Sequence, residues 1–138
     1  MNNAKLNYRI SISLFAIAII TILINYYVNY DAVVVTFTQL GYPSYLIHVL
    51  GVAQTIGLII LLFNKGKWIL EWAYAAFFMN FTFGIIAHLV SKDGNGATAV
   101  ICLILVWVTY IQNKKLKYYK ESASEENRRK STKLQKVA

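Results

Sequence analysis

The sequence predicts an all-α fold: a bundle of four transmembrane helices, with both termini cytoplasmic and a disordered basic C-terminal tail. Three observations carry it. Hydrophobic residues make up 57% of the 138-residue chain and charged residues only 14%. A soluble domain of this size hides only about two-thirds of what its unfolded chain exposes, too little for so apolar a composition. Charge is also segregated, with nine of the fourteen Lys/Arg and three of the six acids in residues 113–138. Finally, the apolar residues fall into four blocks near the length needed to cross a hydrocarbon core, roughly 20 residues.

The first block, residues 10–28, follows Lys5 and Arg9. It is longer than the apolar core of a signal peptide, about 7–15 residues, and no small-x-small cleavage pattern follows in NYYVNYD, so it reads as a retained anchor. The loop over residues 29–44 has no basic residue and one acid, Asp31. Its VVVTFTQL stretch is apolar enough to lie in the outer interface or to fold back between helices, and both helical and extended forms are open to it. In LGYPSY, Gly41 and Ser44 let the chain turn, and Pro43 opens the second helix, where its missing N–H costs nothing. The second block covers residues 45–63 and the third 69–90. The fourth, 97–111, is shorter but dense and ends in aromatics followed by lysines. Beyond Tyr119 the sequence is polar and without apolar periodicity, which predicts disorder past a short helical extension. The chain thus divides into a membrane domain, residues 1–112, and a basic cytoplasmic tail, residues 113–138.

Orientation follows the bias of Lys and Arg to cytoplasmic loops. Lys5 and Arg9, then Lys65 and Lys67, then the nine tail cations all fall on one side of an even number of spans. Lys92 in the third loop is balanced by Asp93. Tyr26, Tyr27, Tyr30, Trp68, Trp72, Trp107 and Tyr110 cluster near span ends, at headgroup level. A multi-pass protein of the bacterial cytoplasmic (inner) membrane is the expected setting.

The net charge of +8 belongs to a tail beside a membrane segment, so lipid headgroups rather than nucleic acid are its expected neighbours. The single cysteine, Cys102, excludes an intramolecular disulfide. There is no CxxC, no Cys/His cluster, no glycine-rich phosphate loop and no catalytic Ser/His/Asp spacing, so neither a metal, a resident cofactor nor a catalytic residue is expected.

Ionisable and amide side chains inside a span are candidate functional groups, because each is costly there. Opposite helix directions place Asn25, His48 and His88 at one outer level, a candidate polar pocket. Gln54 and Asn80 fall near the midplane. Glu71 lies at the inner end of the third span, level with Arg9, Lys65 and Lys114, and the expected inner-face ion pair is Glu71 with Arg9. Against these stand plainer roles: a helix-terminus carboxylate favoured by the dipole, histidines bonded to backbone or headgroups, and amides joining helices. At 100° per residue, Glu71, Tyr74, Phe78, Phe81, Ile85 and His88 share one face of the third span. In the second span Gly51, Thr55, Leu58 and Leu62 form a stripe for close helix approach, bordered by Gln54.

Read together, LGYPSYLIHVLGVAQTIGLIILL and KGKWILEWAYAAFFMNFTFGIIAHLVSKDG resemble the DoxX-like family of small four-helix membrane proteins, over roughly residues 8–112. The matching positions are Leu40, Gly41, Tyr42, Pro43, Tyr45, Gly51, Glu71, Ala73, Tyr74, Ala87 and His88. Two positions depart from the pattern: Gln54 stands where the resemblance implies lysine, and Ala76 where it implies glycine. A glutamine donates and accepts hydrogen bonds but carries no charge. The resemblance implies roles that range from a subunit of quinone-linked thiosulfate oxidation, through redox homeostasis, to assistance in membrane-protein assembly.

Three functions follow as expectations. The first is a non-catalytic membrane subunit or assembly factor, partnered by the bilayer and by another membrane protein or a second copy of itself. The second is a quinone- or lipid-linked redox component, with His48, His88, Tyr45 and Tyr74 around a headgroup. The third, a small transporter, is weakened because the first span has no acid.

Overall fold

The computed structural model describes residues 2–137; Met1 and the last tail residue, Ala138, lie outside the described residues. It contains α1 (Asn2–Val28), α2 (Tyr30–Gln39), α3 (Tyr45–Phe63), α4 (Lys67–Ser91) and α5 (Ala97–Val137). Four of these, all but α2, are long and apolar enough to cross a membrane. They pack as a square in the order α1, α5, α4, α3, each beside antiparallel neighbours, with α1 and α4 on the diagonal. The chain start, the α3–α4 turn and the root of the tail lie at one end, here termed the basic end. The α2 segment and the α4–α5 loop lie at the other, the far end.

The turns are set by left-handed backbone. Asn64 (φ 49°) ends α3 and Gly66 (φ 75°) leads into α4; Lys92 (φ 54°) and Gly94 (φ 73°) shape the α4–α5 loop. Gly41 (φ 80°) provides the sharp turn ahead of α3, a conformation that costs glycine little. Pro43 stands two residues before α3 rather than in its first turn. Its carbonyl nevertheless accepts the Leu46 N–H at 3.1 Å, so the helical turn begins there.

A belt of apolar side chains faces outward on every spanning helix: Leu14 and Ile17 on α1, Val52 and Ile56 on α3, Phe83 on α4, Ile104 on α5. In water this surface would be ruinous; against lipid tails it needs no cover. The centre is aromatic. Phe15 meets Phe77 edge-on at 5.0 Å and Phe81 at 6.4 Å, and Phe77 stacks on Phe81. This geometry suits the ring quadrupoles. Gly57 of α3 lets Phe77 in: a Cβ added there would meet the ring at 2.8 Å, whereas one on Gly51 would find only ordinary contacts at 3.6 and 3.8 Å. The close approach therefore lies at Gly57 and not in the expected stripe from Gly51. The buried face of α3 is Ile47, Gly51, Gln54, Leu58 and Leu61, while Thr55 and Leu62 face outward.

Two further differences concern the ends. VVVTFTQ is helical, as α2, despite its β-branched residues, because it packs on α1 and α3 and buries Val33. At the bend, Asn29 Nδ2 donates to Asn25 Oδ1 at 2.8 Å. The basic tail is also helical through Val137, not disordered. It has neither glycine nor proline and is rich in residues of high helix propensity. It gains a Glu126–Lys130 pair at 2.6 Å, one turn apart, and is tied to the bundle by Lys67–Glu121 at 3.1 Å and by buried Leu116.

Candidate functional site

The far half of the bundle holds a half-open cavity of about 700 Å³. All five helices and the α4–α5 loop contribute to it. Asn25 and Tyr26 come from the last turns of α1, and Thr36 and Phe37 from α2. Gln54 comes from α3, Asn80 and His88 from α4, Asn95 from the α4–α5 loop and Thr98 from the start of α5. The remainder of the wall is mainly apolar, and His88 is its one ionisable side chain besides tyrosine. Of the predicted outer-level residues, Asn25 and His88 meet here, together with the midplane amides Gln54 and Asn80.

His48 does not join them. It follows buried Ile47 by one residue, about 100° around the helix, and so lies on the exposed flank, stacked on Tyr30 at 5.4 Å. Nor does the structure gather the proposed headgroup set. Tyr45 is 66% exposed, and Tyr74 lies fourteen residues before His88 on α4, about 21 Å along the axis.

Gln54 is the chemical centre of the cavity. Only 4% of its surface is exposed, and no described residue donates a hydrogen bond to its Oε1. The Tyr26 hydroxyl lies within hydrogen-bonding reach of the amide. An acceptor taken out of water without a donor carries the full cost of its desolvation, about 1–3 kcal/mol.

At the cavity mouth, His88 Nδ1 lies 2.8 Å from Asp93 Oδ2 and 3.0 Å from Oδ1, and the Asn95 N–H donates to Asp93 Oδ1 at 3.1 Å. The Asn95 N–H, helped by the nearby imidazole, holds the Asp93 carboxyl below its usual value. From the sequence, Asp93 reads only as a balance for Lys92. The legible signal was D-G-N, an aspartate able to bond its own backbone two residues on.

The basic end has a different polar centre. Asn113 Nδ2 donates to the Tyr74 hydroxyl at 3.1 Å and to Asn64 Oδ1 at 3.2 Å, and the Tyr8 hydroxyl donates to Leu61 O at 3.4 Å. Thr109 adds a bond from α5 to Ser11 O on α1 at 3.2 Å. Glu71 pairs with Lys114 at 2.8 Å, not with Arg9. The reason is topological: α4 neighbours α5, whereas Arg9 sits on α1 across the diagonal. Beside this pair runs a second, smaller groove of about 270 Å³ between α4 and α5, lined by Phe78, Met79, Val106 and Trp107. Cys102 is buried and free. Among the described residues, no three His, Cys, Asp or Glu side chains converge.

Four apolar spanning helices around a neutral, amide-rich cavity at one end define a class: small helical integral membrane proteins with an interior small-molecule-sized chamber. The model of the DoxX-like family matches residues 10–110, and the chain belongs to that family. Searches of curated proteins and of solved structures each give no match.

Proposed function

We propose that this DoxX-like protein is a non-catalytic membrane subunit that works by holding a neutral small molecule in the far half of its bundle. The observation that carries this is the cavity itself: about 700 Å³, with the neutral polar side chains of Asn25, Gln54, Asn80 and Thr98 among mainly apolar walls, within the range of about 300–1,000 Å³ typical of ligand pockets. The few polar groups there come from separate helices, so a ligand would bridge elements that otherwise meet only around a void. The distribution of Lys and Arg supports a cytoplasmic basic end. In that orientation the cavity opens toward the outer leaflet of a bacterial inner membrane, and the helical tail carries its charge into the cytoplasm. The outward apolar belt and the tail are the surfaces for bilayer lipid and for a membrane-protein partner or a second copy.

Native mass spectrometry of protein released from lipid nanodiscs tests the reading. The wild-type chain is expected to carry an added small-molecule mass that is lost on denaturation and absent from Gln54→Leu. A wild-type protein found only at its bare mass, from membranes of its own host, would overturn it.

A further inference from the structure

We infer that the seam between α4 and α5 at the basic end is a site for one anionic phospholipid, independent of the cavity at the far end. The lipid phosphodiester sits among Lys67, Lys114 and Lys117, and one acyl chain lies in the groove below them. Charge is the first ground. Two ion pairs cross the seam, Lys67–Glu121 at 3.1 Å and Lys114–Glu71 at 2.8 Å. Lys117 stands between them on α5, half-buried, and no acid among the described residues pairs with it. Three ammonium groups thus face two carboxylates. The remainder is a single positive charge, which a phosphodiester monoanion neutralises. Burial, joined by the ammonium groups of Lys114 and Lys67, holds Lys117 below the usual lysine value against the pull of Glu71 and Glu121. An anion beside it favours its charged form.

Depth and shape are the second ground. Trp68 and Trp72 are exposed, meet at 5.6 Å and share the first turns of α4 with Lys67 and Glu71. Such rings settle at headgroup level, which puts the three ammonium groups where lipid phosphates lie. The groove of about 270 Å³ opens directly beneath, with Glu71 and Tyr110 at its head and Phe78, Met79 and Trp107 deeper. Lys114 Nζ sits over the Tyr110 ring at 5.3 Å, which places this cation at the rim. From Glu71 to Phe78 is about 10 Å along the helix, so the groove runs from phosphate depth into the hydrocarbon. A zwitterionic lipid would bring one more ammonium to a cluster already in excess of cations. The site therefore favours a headgroup whose only charge is its phosphate. Free phosphate has nothing to place in the groove.

Trp107 lines the groove and becomes the sole fluorophore in the Trp68→Phe/Trp72→Phe chain, since the protein has three tryptophans. The full chain is reconstituted into vesicles of phosphatidylglycerol and phosphatidylcholine, with one lipid at a time brominated along its acyl chains. Quenching of Trp107 then gives the relative binding of the two lipids. Phosphatidylglycerol is expected to be preferred about fivefold, the contribution of one basic side chain beside an anionic headgroup. Lys117→Gln should bring the ratio near one. Lys130→Gln, which removes the same charge farther along the tail, should keep the preference. Equal quenching by the two lipids in the parent chain would overturn the site. An equal loss in Lys117→Gln and Lys130→Gln would also overturn it, by assigning the preference to the overall charge of the tail. Inorganic phosphate that abolishes the preference at constant ionic strength would assign the cluster to a soluble anion and sink the lipid reading. The wild-type chain, with all its tryptophans, gives the same lipid comparison and needs no variant to fold.

Discussion

The His88 imidazole and the Asp93 carboxylate meet at 2.8 Å across the last turn of α4, and Asp93 in turn accepts the backbone N–H of Asn95 at 3.1 Å. One carboxylate thereby fastens the end of α4 to the loop that starts α5. The Asn95 N–H first, and then the imidazole, lower the Asp93 pKa. The sign follows: a carboxyl whose folded pKa lies below its unfolded value, near 3.9, contributes fully above that unfolded value. The contribution is lost as pH falls through the folded one. Hydrogen exchange over residues 88–97, corrected for the intrinsic rate, should therefore show constant protection from neutral pH down to about 5, then a loss in stronger acid. Asp93→Asn should remove that acid limb.

Gly57 and Gly51 should respond oppositely to alanine. A methyl group at Gly57 meets Phe77, whose ring lies between it and the rings of Phe15 and Phe81. Overpacking of this kind costs about 1–3 kcal/mol, so Gly57→Ala should lower the unfolding midpoint in denaturing detergent. Gly51→Ala, with ordinary contacts, should leave it nearly unchanged. Trimming the ring in Gly57→Ala/Phe77→Leu should recover part of the loss.

Gln54→Leu should be more stable than wild type in the absence of ligand. It replaces an unmet acceptor by an apolar side chain of similar size, worth about 1 kcal/mol on the scale of buried polar groups in membranes. Unfolding curves of delipidated protein give the comparison; a clear loss of stability would mean that the amide is bonded after all.

A double-mutant cycle separates the two candidate partners of Glu71. The pair with Lys114 is part-exposed, with side chains 38% and 51% accessible for Glu71 and Lys114. Its coupling should be about 0.2–1 kcal/mol and shrink with salt. Glu71 and Arg9, on diagonal helices, should show none within error.

The legible part of the fold is the part the bilayer dictates. The run Tyr45–Phe63 coincides with α3 because hydrocarbon thickness sets both the apolar length and the helix. Rotation about each axis was harder to read. A spanning helix is apolar on its lipid face as well as its packed face, so hydropathy does not tell which side meets a neighbour. For that reason residue spacing points to Gly51 instead of Gly57 for the close approach, and depth alone groups His48 with His88. Depth did bring Asn25, His88, Gln54 and Asn80 to one chamber, because antiparallel helices of known direction share levels. The Glu71 partner depended on helix order around the square, which no single span encodes. The helicity of α2 was hidden by its β-branched residues, and that of the tail by its lack of an apolar stripe. Nothing in the polar run after the fourth span marks Asn113, although it bridges Tyr74 and Asn64.

The contrast between the two ends of the bundle makes its compressibility lopsided. The basic end is bolted by Asn113, Tyr74, Thr109 and Tyr8 beside a groove of about 270 Å³, whereas the far end holds about 700 Å³. Hydrostatic pressure acts on such voids, since it favours whatever state eliminates them. The same chain thus joins a stiff foot to a soft cup. Filling the cup would leave pressure less to work against at that end.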